Sequence, residues 1–183
     1  MGIGVCIAFR GGVINIGGEG QIIVGALAAA AVALYVPIHS RIMMPICLLA
    51  SMAAGAVWGG IPGILKAKLA VNEILTTVMM NSIAVYLSNY LLRGPMIDPH
   101  EIEMGTRAAQ TALLPEYTFL TRLAPPTQLN TGTILALILS VIAFVMLFKT
   151  TIGYRIRAVG LNSDASRYAG IKVPFYQALA LIM

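Results

Sequence analysis

The chain has little charge. Lys, Arg, Asp and Glu make up 10% of its 183 residues, against about 25% in soluble domains. Side chains this sparse cannot coat a soluble surface when 58% of the residues are hydrophobic and the mean hydropathy is +0.86. Carboxylates are scarce, with Asp and Glu together numbering 7. The apolar runs themselves hold no Asp, Glu, Lys or Arg, and the candidates Glu19, Glu73 and Arg10 stand only near their ends. An ion-coupled secondary transporter needs such groups deep inside its spans. Cysteine is nearly absent. Cys6 and Cys47 sit in apolar runs and read as small buried hydrophobes, with no metal or disulfide spacing. The two histidines, His39 and His100, stand alone on polar segments with no nucleophile paired to them, which argues against an enzyme. Residues 1–9 lack a charged n-region and a cleavage site, so they are no signal peptide. The net charge is +5. Its basic residues flank apolar runs and form no continuous stripe. That excludes a nucleic-acid partner and fits an anionic lipid surface.

What the chain has is long apolar runs. They cover residues 21–36, 42–65, 74–92 and 134–148, and a further run begins at 173. A spanning helix takes about 20 residues. The second and third runs meet that length. The first and fourth do so once polar flanks 19–21 and 130–133 are added. The run 173–183 is too short to cross, so further sequence is expected beyond it and also before residue 1. The expected fold is all-α, a polytopic transmembrane helix bundle over residues 1–183. Pro62 is expected to kink or end the second span.

Charge sets the orientation. The segment 149–172 carries Lys149, Arg155, Arg157, Arg167 and Lys172 against one acid, Asp164. Short loops rich in Lys and Arg stay cytoplasmic. Lys66 and Lys68 then also fall inside, and 93–130 falls outside. There Asp98, Glu101, Glu103 and Glu116 nearly balance Arg93, Arg107 and Arg122. Pro95, Pro99, Pro115, Pro125 and Pro126 make that segment irregular, with a short surface helix expected near 101–112. Within the inner loop, Asn162 or Ser163 can cap a helix that Gly170 ends. A capped helix shown to the cytoplasm by a membrane protein reads as a docking element.

Small residues recur every four positions at Ser51, Gly55, Gly59 and Gly63, and again at Gln21, Gly25, Ala29 and Ala33. This spacing lets helix backbones approach closely in lipid. Asn81 and Ser88 share a face of the third span, with Thr77 and Ser82 near it. Two readings stand for that face: a polar substrate route, or hydrogen bonds between helices. Tyr86 and Tyr90 serve equally as interfacial anchors or as substrate platforms. GGVINIGGEGQ, residues 11–21, is too glycine-rich for a regular span. It reads as an unwound or re-entrant segment, tolerated at depth when covered by protein. Glu19 within it is a candidate functional acid, although an acid at a helix N-terminus is the favoured reading. No Gly-Lys-Ser/Thr and no GxGxxG in frame marks a nucleotide site.

Three segments carry a resemblance. NIGGEGQ (15–21) resembles the FNIGxEGQ segment of inner-membrane permeases of ABC importers. VNEILTTVMMNSIAVYLSNYLLRGP (71–95) resembles their NEVxxTxMxNYIAxxLxNYLxxGP stretch. TTIGYRIRAVGLNSDASRYAGIKV (150–173) resembles their RAVG-x-N-xx-AARYAGI loop. The family is the branched-chain amino-acid, ribose and nucleoside permease superfamily, and the second segment favours the simple-sugar and nucleoside branch. Ile14, Gly18 and Ser82 depart from the usual phenylalanine, larger residue and tyrosine. The resemblance covers nearly the whole chain and implies a central portion of a longer permease in the bacterial inner membrane. It implies a second permease subunit, cytoplasmic ATP-binding subunits and an extracytoplasmic substrate-binding protein, with no cofactor in the chain itself. Coupling to the ATPase falls to Arg155, Arg157, Gly160, Asn162, Asp164, Arg167, Tyr168 and Gly170. The substrate pathway falls to Asn15, Glu19, Gln21, Thr77, Asn81 and Ser88. Permeases for branched-chain amino acids, or a secondary transporter of small polar solutes, are the alternatives.

Overall fold

The structure is a computed structural model that describes residues 1–37, 42–106, 108–121, 123 and 129–183, and of Glu116 the backbone alone. His39, Arg107, Arg122, Pro125 and Pro126 lie outside the described residues. Among those described, the regular structure is helical and no strand forms. In chain order the helices are α1 (Gly2–Arg10), α2 (Gly18–Tyr35), α3 (Met43–Leu69), α4 (Glu73–Arg93), α5 (Pro99–Glu103), α6 (Thr131–Lys149), α7 (Thr151–Leu161), α8 (Ser163–Tyr168) and α9 (Val173–Ile182). α2, α3, α4 and α6 are long and apolar enough to cross a membrane. They coincide with the apolar runs, flanks included. α6 begins where the polar flank predicts, because the Asn130 side chain caps it by accepting from the Gly132 N–H at 3.0 Å.

Three elements differ from the reading of the sequence. Of the two effects expected of Pro62, an end of the span does not occur, since α3 continues to Leu69 with Pro62 inside it. The surface helix is Pro99–Glu103 and does not extend over 101–112. Asp98 starts it by accepting from the His100 N–H at 3.0 Å, and Gly105 turns the chain away at φ +73°. The segment 149–172 holds a second helix, α7, before the one expected from the caps. Thr150 starts it by accepting from the Gly153 N–H at 3.2 Å.

The chain divides into two compact units, each with its own packing. The first comprises Met1–Gly18, Gly59–Val78 and Leu120–Met183. Its core joins Ile7 and Val13 to Leu147, Ile156, Val159 and Leu181. α7 lays its buried face, Gly153, Ile156 and Val159, onto this core. Gly63 packs on α9, where an added Cβ would lie 3.1 Å from the Ala178 carbonyl oxygen. The turn between α3 and α4 is closed by an ion pair, Lys66 Nζ to Glu73 Oε2 at 2.7 Å.

The second unit comprises Glu19–Trp58 and Met79–Phe119. Here α2 and α3 meet through small residues. A Cβ on Gly25 would stand 2.8 Å from Ser51 Oγ, and one on Gly55 3.4 Å from the Gln21 carbonyl oxygen. Both positions belong to the four-residue stripes of the sequence. The Tyr35 hydroxyl donates to the Pro95 carbonyl at 2.8 Å.

Candidate functional site

The basic segment 149–172 folds into two short helices with different surroundings. α7 is the packed one. Its Gly160 lies against the backbone of α1, where a Cβ would collide with the Arg10 carbonyl oxygen and sit 2.8 Å from the Gly12 nitrogen. Only a glycine lets the two chains approach this closely. Arg157 turns back toward α6. Its guanidinium lies 4.9 Å from the centroid of the Phe148 ring, and Arg10 approaches the same ring at 5.8 Å. The Nε of Arg157 is buried there with no hydrogen-bond partner among the described residues, and the Phe148 ring face attracts the cation. Arg155 reaches α9, with Nη1 donating to the Tyr176 hydroxyl at 2.7 Å. These two arginines, both candidate coupling residues, therefore brace α7 within its own unit.

α8 is the presented one. Of the two residues able to cap it, Asn162 does so, its Oδ1 accepting from the N–H groups of Asp164 and Ala165, each at 3.0 Å. The other end closes in a Schellman turn. The Gly170 N–H donates to the Arg167 carbonyl at 3.0 Å and the Ile171 N–H to the Ser166 carbonyl at 2.9 Å, with Gly170 at φ +79°. Asp164 in the first turn and Arg167 in the last suit the helix dipole. Ser166 alone of this helix is buried. Tyr168 is 95% exposed and Leu161, at the end of α7, is 89% exposed. Large side chains left this bare, on a helix fixed at both ends, form a surface that a partner can cover.

The candidate pathway residues fall in two places. In the first unit, Asn15 is buried and its Oδ1 accepts from the Gly17 N–H at 2.8 Å, turning the glycine-rich segment into α2. A Cβ on Gly17 would lie 3.1 Å from Thr77 Cβ. Thr77 is fully buried, and its hydroxyl donates to the carbonyls of Glu73 at 2.7 Å and Ile74 at 3.1 Å. That hydroxyl is spent within its own helix. In the second unit, Asn81 Oδ1 accepts from the Gly20 N–H at 2.9 Å. Gly20 stands in the first turn of α2, where N–H groups have no partner within the helix. Gly17, just before that turn, has no side chain to cap it, so Asn81 supplies the acceptor from another helix. Of the two readings of Asn81, this contact favours the bond between helices. Glu19 is exposed in the first turn of α2. Gln21 and Ser88 are half-buried.

Sequence reasoning missed Trp58. Its indole N–H is buried without a hydrogen-bond partner among the described residues, and a Cβ on Gly20 would lie 3.0 Å from both that nitrogen and Asn81 Oδ1. Trp58 stands three residues after Gly55, on the small-residue face of α3, and is the single tryptophan of the chain. Both features were legible signals. Phe148 and Tyr176, the aromatic seats of Arg157 and Arg155, were also missed. Among the described residues, no three His, Cys, Asp or Glu side chains converge to hold a metal ion.

The permease component family of the branched-chain amino acid transport system matches residues 1–183. The guanosine ABC transporter permease protein NupP of Bacillus subtilis is 40% identical over 172 residues, covering 94% of this chain and 49% of that protein. The nucleoside ABC transporter permease protein NupB of Lactococcus lactis is 35% identical over 183 residues, covering 97% of this chain and 50% of that protein. The glucose ABC transporter permease protein TsgB13 of Haloferax volcanii is 36% identical, covering 93% of this chain and 46% of that protein. The chain spans about half the length of the curated relatives it matches. No solved structure matches it significantly. Matched over its whole length and carrying four helices fit to cross a membrane, this multi-pass membrane protein belongs to the permease component family of the branched-chain amino acid transport system.

Proposed function

We propose that the protein is a transmembrane permease subunit of an ATP-driven importer for a nucleoside or simple sugar, in a bacterial inner membrane. An extracytoplasmic binding protein delivers the substrate, a second permease subunit completes the pathway, and a cytoplasmic ATP-binding subunit supplies the energy. Relatives named for guanosine, nucleosides and glucose support this substrate class over branched-chain amino acids. The observation that carries the reading is α8, capped at both ends, bearing the bare Tyr168 and preceded by the bare Leu161. Closure of the ATPase dimer pushes on this helix. α7 transmits the push because Gly160, Arg155 and Arg157 lock it to α1, α9 and α6. The spans then rock and open the route alternately to each side. Ser88, half-buried on α4, and the indole N–H of Trp58 offer a polar solute weak hydrogen bonds, while Asn81 holds the start of α2 beside them. Weak binding is what release to the cytoplasm requires.

Tyr168→Ala in the intact subunit tests the docking. It removes an exposed aromatic anchor, so ATPase capture falls by about 2 kcal/mol, or roughly thirtyfold. Insertion into the membrane stays normal. Pull-down of the ATP-binding subunit by wild type and variant measures this. Equal capture would remove α8 from the interface.

A further inference from the structure

We propose that the groove between α7 and α9 holds the phosphate headgroup of an anionic phospholipid at the cytoplasmic membrane surface. The groove has a volume of about 600 Å³, and Tyr154, Arg155, Gly170, Lys172, Phe175 and Tyr176 line it. Among the described residues, two cations and two phenols line the space and no carboxylate does. The Arg155 fork is held in place, since Nη1 donates to the Tyr176 hydroxyl at 2.7 Å and the guanidinium carbon lies 5.8 Å from that ring's centroid. Because the Tyr176 oxygen accepts from Arg155, its own proton is available to a second acceptor. The remaining N–H groups of a planar guanidinium match phosphate oxygens two at a time. Lys172 is exposed and stands as the N-cap of α9, with no side chain capping the helix. The positive end of that helix adds to the same field.

The walls say which phosphate. Phe175 is 58% exposed and Tyr154 63% exposed. Phe175 meets the Tyr176 ring edge-on at 5.2 Å and opens the apolar helix α9. Exposed rings beside cations, at the first turn of an apolar helix, belong at headgroup depth. A free phosphate has no use for these rings, whereas a lipid places its glycerol and upper acyl chain along them.

The test uses the intact subunit purified without the ATP-binding subunit, so its result is independent of the docking measured at Tyr168. Equal amounts of phosphatidylglycerol and phosphatidylcholine are added, and retained lipid is counted by native mass spectrometry. Wild type retains phosphatidylglycerol in preference. Arg155→Gln and Lys172→Gln each lower that preference about fivefold. Arg155→Lys, which keeps the charge, retains more than Arg155→Gln, and Lys149→Gln, outside the groove, leaves the preference unchanged. Three results would overturn the proposal. Equal retention by wild type and the Gln variants would empty the groove of lipid. An equal loss in Lys149→Gln would reduce the effect to diffuse surface attraction. Displacement of the lipid by millimolar inorganic phosphate would assign the groove to the free anion. Should the first of these results come with weaker capture of the ATP-binding subunit by the Gln variants in a separate pull-down, the groove belongs to an acidic protein surface.

Discussion

Gly160 shows how one position can decide the packing of a whole helix. A methyl group there meets the Arg10 carbonyl oxygen and the Gly12 nitrogen, which are backbone atoms and cannot swing aside. Gly160→Ala in the intact subunit should therefore cost about 2 kcal/mol of stability. Thermal unfolding in detergent would register this as a lowered midpoint, and an unchanged midpoint would mean that α7 and α1 are not in contact. Asn81 is the polar counterpart. Asn81→Leu strands the Gly20 N–H in the first turn of α2 and should cost about 1 kcal/mol. Asn81→Asp, which keeps an acceptor, tests whether that bond is the cause. If Asp and Leu destabilise alike, the bond does not hold α2. Neither contact is visible in a list of residues. Asn81 stands out in the sequence because it is polar within an apolar run, but its partner lies 61 positions away.

Among the elements, those ruled by local chemistry were legible and those ruled by approach were not. The spans follow from apolar runs, since lipid demands internally satisfied backbone. α8 follows from Asn162 and Gly170, because a cap and a left-handed turn act over neighbouring residues. Its stability is open to a direct test. Asn162→Ala removes the acceptor for two N–H groups and should cost about 1 kcal/mol. Hydrogen exchange at Asp164 and Ala165 should then quicken severalfold, and unaltered exchange would deny the cap. α7 went unread because its buried positions, Gly153, Ile156 and Val159, are interleaved with Tyr154, Arg155 and Arg157. That mixture resembles an exposed basic loop until Phe148 and Tyr176 come close enough to seat the arginines. The outer helix was placed too far along for a similar reason. Glu101 reads as a helix former, yet its carboxylate accepts from the Gln110 side chain at 2.6 Å and the chain has turned at Gly105.

For the whole molecule, the account rests on which side of the membrane α8 faces. Orientation came from charge alone. Lys66, Lys68, Lys149 and the arginines of α7 and α8 gather at the same ends of the spans. The ion pair of Lys66 with Glu73 and the stacking of Arg157 on Phe148 show that some of these cations also have structural partners. The side must therefore be measured at a residue that has none of those duties. Arg167 is exposed in the last turn of α8. In the intact subunit, with Cys6 and Cys47 replaced by alanine, Arg167→Cys offers one thiol to a membrane-impermeant maleimide. The account predicts no labelling in intact cells and full labelling once the inner membrane is opened. Labelling of intact cells from outside would contradict it.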